Sequence, residues 1–403
     1  MQKNDVMFLL SGFPIPSQTF VFREVDYLSQ IMPLRVVAFT RKKQGFLKDK
    51  NNVVSKVEFA PNHSALTILF FKMLLLHFPI FCKILFKVFF FKHRNNKQRL
   101  KLLKKFPKTL WLYNHLKDNP PKLIHAHFIG WQTEIALIIS EILGIRFSSS
   151  AHAMDIFVLK NNLEEKLKKA LFVVTGTQFN VDFMQNISPK STNIHLVYDG
   201  VKKLDFSKLD TTKNKKTTFV SVGRLVYKKG FQFLIEASKV LDEKGMDFET
   251  LIIGDGEMRS QLENQVKELG LEKRVKFLGS MENSKISQLF AKSTAFVLPC
   301  VKAENNDIDG IPLIIIEALF TKIPVISSRI SGIPEIVKNG ETGLLCEEKN
   351  VPQIAEKMEL IATNKELATR LSENALAFVE ENFEIEKTMQ KLRSLFEKYL
   401  KEI

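Results

Sequence analysis

The chain has 403 residues, 45% of them hydrophobic and 26% charged, which excludes a disordered or fibrous protein and sets two globular domains as the expectation. The net charge of +15 is confined to the first half: residues 1–200 hold 28 Lys and Arg against 13 Asp and Glu, and the remainder holds 31 against 31. Most of the excess lies between Arg41 and Lys122, so one domain is expected to meet an anionic partner.

Val6–Leu10 reads as a buried strand, an apolar run too short for a signal peptide. A Gly/Pro loop from Ser11 to Ser17 follows. A helix from about Thr19 to Ile31, capped by Ser17, and a strand from Leu34 to Phe39 come next. This β-loop-α-β opening predicts a doubly wound α/β sheet. Residues 65–92 interrupt it. Ala65 to Phe91 is apolar and has no acidic residue, yet Lys72, His77, Pro79, Lys83 and Lys87 break any clean transmembrane span. On one continuous helix Lys72, Lys83 and Lys87 fall within about 60° of each other. Lys92, Arg94, Lys97, Arg99, Lys101, Lys104 and Lys105 follow, and an apolar helix with such a stripe suits an anionic membrane surface. The plainer reading is two core helices broken at Pro79, with snorkelling lysines.

Strands are expected at Leu123–Phe128 and Arg146–Ala151, with a helix from about Thr133 to Leu143 between them. His125 and His127 point the same way from their strand, as a metal pair does. No third ligand has suitable spacing, which favours structural or substrate roles over zinc. Leu171–Thr175 and His195–Val197 close the first half, and Tyr198 to Lys216 is a polar linker. The second half repeats the alternation, with strands at Thr218–Val222, Leu251–Ile253, Val275–Leu278, Ala295–Leu298, Pro324–Ser327 and Gly343–Cys346. A helix spans about Phe231 to Lys244, and helices from about Val351 close the chain. In Gly254-Asp255-Gly256 the third glycine of a dinucleotide fingerprint is missing, because Arg259 stands in its place, so NAD binding has little support. Cys82, Cys300 and Cys346 are scattered, odd in number and without CxxC spacing. They point to a reducing compartment and away from a disulfide framework or zinc site.

Asp309 to Leu319 is the stretch around which the second half is organised. It follows a buried strand and a polar loop, Val301 to Asp309. Pro312 fits the first turn of a helix, Gly310 admits a ligand close to the backbone, and the free N–H groups there favour phosphate. Glu317 sits among Leu313, Ile314, Ile316, Leu319 and Phe320, where a carboxylate needs partners. A ribose diol offers two hydroxyl donors, and a neighbouring Lys is the plainer partner. Arg224 and Lys229, on the loop after Thr218–Val222, suit a diphosphate: a guanidinium for two-pronged contact and an ammonium as point charge. Two Rossmann-like halves imply a cleft between their strand carboxyl ends as the place for such a ligand.

At these residues the sequence resembles glycosyltransferase family 4, the retaining GT-B enzymes also called group 1 glycosyltransferases, over nearly the whole chain. Val222 to Phe231 looks like the family's GRL-x-x-KG segment, Gly254-Asp255-Gly256 like its GDG turn, and Ser331 to Glu335 like its G-x-PE segment. The E-x7-E signature appears as Asp309 to Glu317. Phe13 to Phe20, His125 to Phe128 and His152 to Asp155 look like the subgroup that builds bacterial exopolysaccharides, of colanic-acid type. The resemblance implies a GT-B fold, with an acceptor-binding domain over residues 1–200 and a donor-binding domain over 201–380 facing each other across a cleft. A terminal helix at 381–403 would pack back on the first.

The resemblance also implies roles. Arg224 and Lys229 would neutralise the leaving nucleoside diphosphate, and Glu317 would hold the ribose. Asp309 and the backbone of Gly310, Ile311, Pro312 and Leu313 would hold donor sugar and phosphate. Gly12, Gly223, Gly254 and Asp255 would lie on the donor side, and His152 near the sugar's reacting face. Phe13, Ser17 and Asp155 would lie on the acceptor side. The nucleotide sugar is the only co-substrate implied, with no cofactor and no metal, and retention would come from same-face attack. Asp309 departs from the family's usual Glu by one methylene, which makes Glu304 and Asp307 rival sugar contacts. The expected protein is a cytoplasmic transferase at the inner face of the membrane. It would act on a glycan, polyprenyl-diphosphate-linked and part of capsule, exopolysaccharide or O-antigen assembly. A soluble enzyme with a small acceptor is the nearest rival. A nucleic-acid-binding protein is remote, because the aromatics of the basic region are Phe in apolar runs.

Overall fold

The structure is a computed structural model that describes residues 5–15, 18–42, 49–91, 96–191, 193–203, 209, 212, 214 and 216–403. The chain forms two compact units: Met1–Gly200 with Thr388–Ile403, and Val201–Lys387. The first unit holds strands β1 (Val6–Leu10), β2 (Leu34–Ala38), β3 (Glu58–Phe59), β4 (Leu123–His127), β5 (Arg146–Ala151), β6 (Val173–Thr175) and β7 (Ile194–Leu196). They form one sheet in the order β3-β2-β1-β4-β5-β6-β7. The second holds β8 (Thr217–Val222), β9 (Phe248–Ile253), β10 (Val275–Gly279), β11 (Ala295–Leu298), β12 (Val325–Ser328) and β13 (Leu344–Cys346), in the order β10-β9-β8-β11-β12-β13.

Every named strand pair is parallel. Parallel sheets are covered by crossover helices on both faces, which is why their strands read as unbroken apolar runs. β1 is buried along its whole length, and so is β11. In each sheet the order reverses beside the first strand of the unit, and the loops at such a point are where these sheets take ligands. The expected elements lie within a few residues of those observed. β3 escaped the sequence because two residues carry no alternation to read. The first helix, Thr19–Ile31, follows Gln18 with no side-chain cap, and Ser17, the expected cap and acceptor-side residue, lies outside the described residues.

The lysine stripe of residues 65–92 does not survive. His63–Leu76 and Phe78–Phe90 are separate helices bent by 116°, with Pro79 in the first turn of the second. Lys72 therefore lies on one helix and Lys83 and Lys87 on the other, and Lys87 pairs with Glu141 at 2.6 Å. Among the described residues no single helix is long and apolar enough to cross a membrane. The pair is not a core element either: Leu75 is 77% exposed and Leu76 69%, with Ile68, Phe71, Phe78, Phe86 and Phe90 exposed beside them. Lys92 and Arg94 of the basic run lie outside the described residues.

The last helix, Ile385–Leu400, starts in the second unit and ends in the first. Phe396 lies 5.8 Å from Phe8 and 5.6 Å from Phe172, ring to ring. Tyr399 stacks on Phe172 at 4.7 Å, and its hydroxyl is 2.8 Å from His195 Nε2.

One buried ion pair braces the loop after β4. Lys166 is fully buried; its Nζ donates to the carbonyls of Ile129 (3.0 Å) and Gly130 (3.1 Å) and pairs with Glu134 at 3.1 Å. Lys166→Met should cost about 3–5 kcal/mol, because it strands the Glu134 charge in the interior. Adding Glu134→Gln should recover part of that loss. Urea unfolding of the two variants checks both statements.

Candidate functional site

In the second unit the site is built on glycine contacts. Gly254, at φ +134°, comes so close to the loop after β8 that a Cβ there would lie 1.9 Å from the Gly223 carbonyl. Leu225 N donates to Asp255 O at 2.9 Å, which ties the two loops together. Gly230, at φ +72°, presses on Pro299 at the end of β11, where a Cβ would meet the Pro299 carbonyl at 1.8 Å. Only glycine fits either position. Between them the turn Tyr227–Lys229 carries two lysines toward the loop after β11.

There the two lysines meet two carboxylates. Lys229 Nζ lies 2.6 Å from Asp309 Oδ2, and Lys228 Nζ lies 3.0 Å from Asp309 Oδ1 and 2.9 Å from Asp307 Oδ1. All four side chains are less than one-fifth exposed. Burial alone would raise the Asp309 carboxyl, but the Lys229 and Lys228 ammonium groups outweigh it and hold it at about 2. Burial likewise works against charge on Lys229, and Asp309 more than offsets it. Burial pushes the neighbouring Cys300 thiol up to about 12, so it is inert. Beside the cluster opens a cavity of about 530 Å³, lined by Arg224, Tyr227, Lys228, Glu304, Asn305 and Asp307. That is the size class of small-molecule sites.

The organising stretch differs from expectation. Its helix is Leu313–Leu319, and Pro312 precedes it in extended backbone rather than lying in its first turn. With only seven residues it offers little dipole, so the charge on this loop comes from the lysines. Pro312 is buried; Gly310, Ile311 and Leu313 are half-buried, as is Glu317 on a helix whose other face is core. Of the three rival acids, Asp307 and Asp309 are engaged by lysine. Glu304 is exposed on the cavity wall and has no partner among the described residues. Asp255 is exposed and its Oδ1 accepts from Gly256 N at 2.8 Å, so with Gly223 and Gly254 it shapes the loop that carries Arg224.

The remaining expected residues lie in the first unit. Phe13 is buried, stacked on Phe22 at 5.6 Å, and its N–H donates to Thr40 O. Its side chain is therefore a packing residue, and Gly12 beside it runs close to that same carbonyl. Asp155 is buried and accepts from Ile129 N (3.2 Å) and His152 N (3.4 Å); burial raises its carboxyl to about 6. It braces the two loops after β4 and β5. His152 stands between Phe20 (4.9 Å) and Phe128 (4.8 Å), its ring parallel to that of His127 at 5.2 Å. Burial, then the nearby His127, hold its pKa well below the usual histidine value.

The sequence reading passed over Lys228, Glu24 and Asp199. Glu24 did carry a signal, because it interrupts the buried stripe Val21, Phe22, Val25, Leu28 of its helix. Among the described residues no three His, Cys, Asp or Glu side chains are grouped as a metal site.

Residues 203–378 match the family Glycosyl transferases group 1. The second unit is a group 1 glycosyltransferase domain. Over 207 residues the chain is 30% identical to an uncharacterized glycosyltransferase of Haemophilus influenzae, covering 51% of this chain and 56% of that one. Over 163 residues it is 33% identical to the amylovoran biosynthesis glycosyltransferase AmsK of Erwinia amylovora, 40% of each. The chain thus spans about half the length of these curated relatives. The structure of Anabaena Alr3699/HepE in complex with UDP matches with a TM-score of 0.72 at 17% identity, over 98% of this chain and 100% of that one. That likeness is one of fold, the GT-B fold with its two Rossmann-like units. The group 1 domain contains the whole lysine–aspartate cluster, the adjoining cavity and Glu317.

Proposed function

We propose that this chain is a retaining glycosyltransferase that takes a sugar from a nucleoside diphosphate sugar and passes it to a glycan acceptor in bacterial surface polysaccharide assembly. The observation that carries the reading is the grouping of Arg224, Lys228 and Lys229 beside a ligand-sized cavity in a group 1 domain. When the bond from sugar to diphosphate breaks, negative charge grows on the departing phosphate. Fixed cations aimed at that charge are the largest single source of acceleration in such reactions. These cations, two of them held in place by Asp307 and Asp309, are also the reason to read the transfer as needing neither metal nor cofactor. Glu317 takes the ribose, and the acid on the cavity wall, Glu304, joins Asp309 as a sugar contact.

The bent apolar helix pair of the first unit supports attachment to an anionic membrane from its cytoplasmic side. That in turn favours an acceptor carried on polyprenyl diphosphate. Amylovoran in the name of one relative, and UDP bound to one structural neighbour, support the polysaccharide and the nucleotide.

The test is thermal stabilisation of the protein by UDP, GDP, ADP and their sugar conjugates in the presence of EDTA. One nucleotide family at a hundredfold over its Kd should stabilise by about 2.7 kcal/mol, and Glu317→Ala should abolish the shift. A folded protein that none of them stabilises sinks the donor site.

A further inference from the structure

At the carboxyl ends of β5 to β7 the first unit holds a second polar cavity, with room for one water-sized group. Glu24, Ser150, His152, Thr175 and Asp199 supply its polar wall, and Met389 and Leu392 of the last helix close it with apolar side chains. Ser150 is committed to His125 Nε2 at 2.8 Å, and Thr175 donates to Ala151 O at 2.8 Å. Glu24, more than nine-tenths buried, uses Oε2 for His127 Nε2 at 3.1 Å. Its other oxygen, Oε1, has no partner among the described residues, and neither has His152 Nε2. Two complementary polar atoms at one small cavity call for one bridging group that both donates and accepts, which is a hydroxyl.

We propose that Glu24, His127 and Asp199 form a positioning network for His152, in which a single hydroxyl bridges Glu24 Oε1 and His152 Nε2. Water supplies that hydroxyl in the free protein and the sugar acceptor supplies it during transfer. The acceptor half of this statement rests on the transferase reading; the network itself does not.

The charges around the cavity set the protonation. His127, paired with Glu24, lies parallel to His152, their ring planes 11° apart. A charge on one ring opposes a charge on the other, so His152 stays neutral, and its Nε2–H donates to the hydroxyl, whose own proton goes to Glu24 Oε1. Asp199 sits over Gly176, its Oδ2 3.1 Å from where a Cβ would be. Burial, then the Glu24 charge, raise its carboxyl to about 7, and His127 moderates this. Asp199 therefore titrates near neutrality, in the field of the Glu24 carboxylate. His125, deeper in the sheet, is held neutral by burial and by the other two histidines, and Asp155 is the remaining acid close to His127.

The experiment is a pH titration of the histidine ring signals by NMR, on full-length protein without substrate, with His152 assigned by His152→Gln. His152 should stay neutral throughout, and its signals should show a step with midpoint near 7 that reports Asp199. Asp199→Asn should remove the step. Glu24→Gln should move it to lower pH, because it removes the charge that raises Asp199. If Asp199→Asn fails to melt cooperatively, Asp199→Glu should retain a step at a displaced midpoint. His152 protonating at the ordinary value of about 6.5, or a step indifferent to Glu24→Gln and to every folded Asp199 variant, overturns the network. Because no donor or acceptor is present, these outcomes are independent of the transferase reading, which stands or falls by the nucleotide shifts.

Discussion

Lys229→Ala should lower kcat/KM for the nucleotide sugar by roughly 100- to 1,000-fold, the loss of about 2.7–4 kcal/mol seen when one fixed charge-stabilising donor is removed. The residue leans on a carboxylate that is itself held by a second lysine, so its ammonium sits where the chain fixes it. Most of the loss should appear in kcat, because charge on the departing diphosphate is greatest in the transition state. Lys229→Arg should restore only part of the activity, since a planar guanidinium does not replace a compact ammonium whose stem runs past Gly223, where a Cβ would lie 3.5 Å from Lys229 Cδ. The fold should persist in both variants, because Asp309 keeps Lys228 at 3.0 Å. Steady-state kinetics with melting curves test this. A Lys229→Ala enzyme within a few-fold of wild type would remove the lysine from the mechanism.

The second large effect concerns the exposed helix pair. Leu75→Glu with Phe86→Glu should weaken binding to vesicles rich in anionic lipid by more than about 100-fold. Each apolar side chain that leaves water is worth about 1.5–3 kcal/mol, and the two introduced carboxylates add repulsion. Lys72 and Lys83, both exposed, should each contribute about 1 kcal/mol near an anionic surface. Binding should therefore fall as salt rises. Thermal stability should hardly change, because both substituted residues already face water in the free protein. Co-sedimentation across a salt series measures this. Equal binding by wild type and double variant, or no binding by either, refutes the membrane face.

Much of this protein was legible in its sequence because parallel strands leave a strong trace. Apolar runs at Val6–Leu10 and Ala295–Leu298, set off by turn residues, place themselves. Arg224, Lys229, Asp309 and Glu317 were legible as residue types at a spacing, and the charge imbalance located the basic half. Helix breaks were less so: Pro79 could mean a kink in one span or a corner between two helices, and only the packing against neighbouring helices made it a 116° corner.

What the sequence by itself determined is local: which segments are strands and helices, where glycine must stand, and which loops carry ionisable groups. The tertiary structure alone decided who faces whom. It paired Asp309 with two lysines some eighty residues earlier, which makes the expected sugar contact the anchor of a cation cluster as well. It brought Glu24 to His127 across a hundred residues and set Asp199 beside them. It also left the apolar faces of His63–Leu76 and Phe78–Phe90 uncovered. The physical reason is that periodicity encodes which side of an element is apolar. A side chain's ionisation and partners are set instead by distances of a few ångströms between loops far apart in the chain, and no local pattern records those distances.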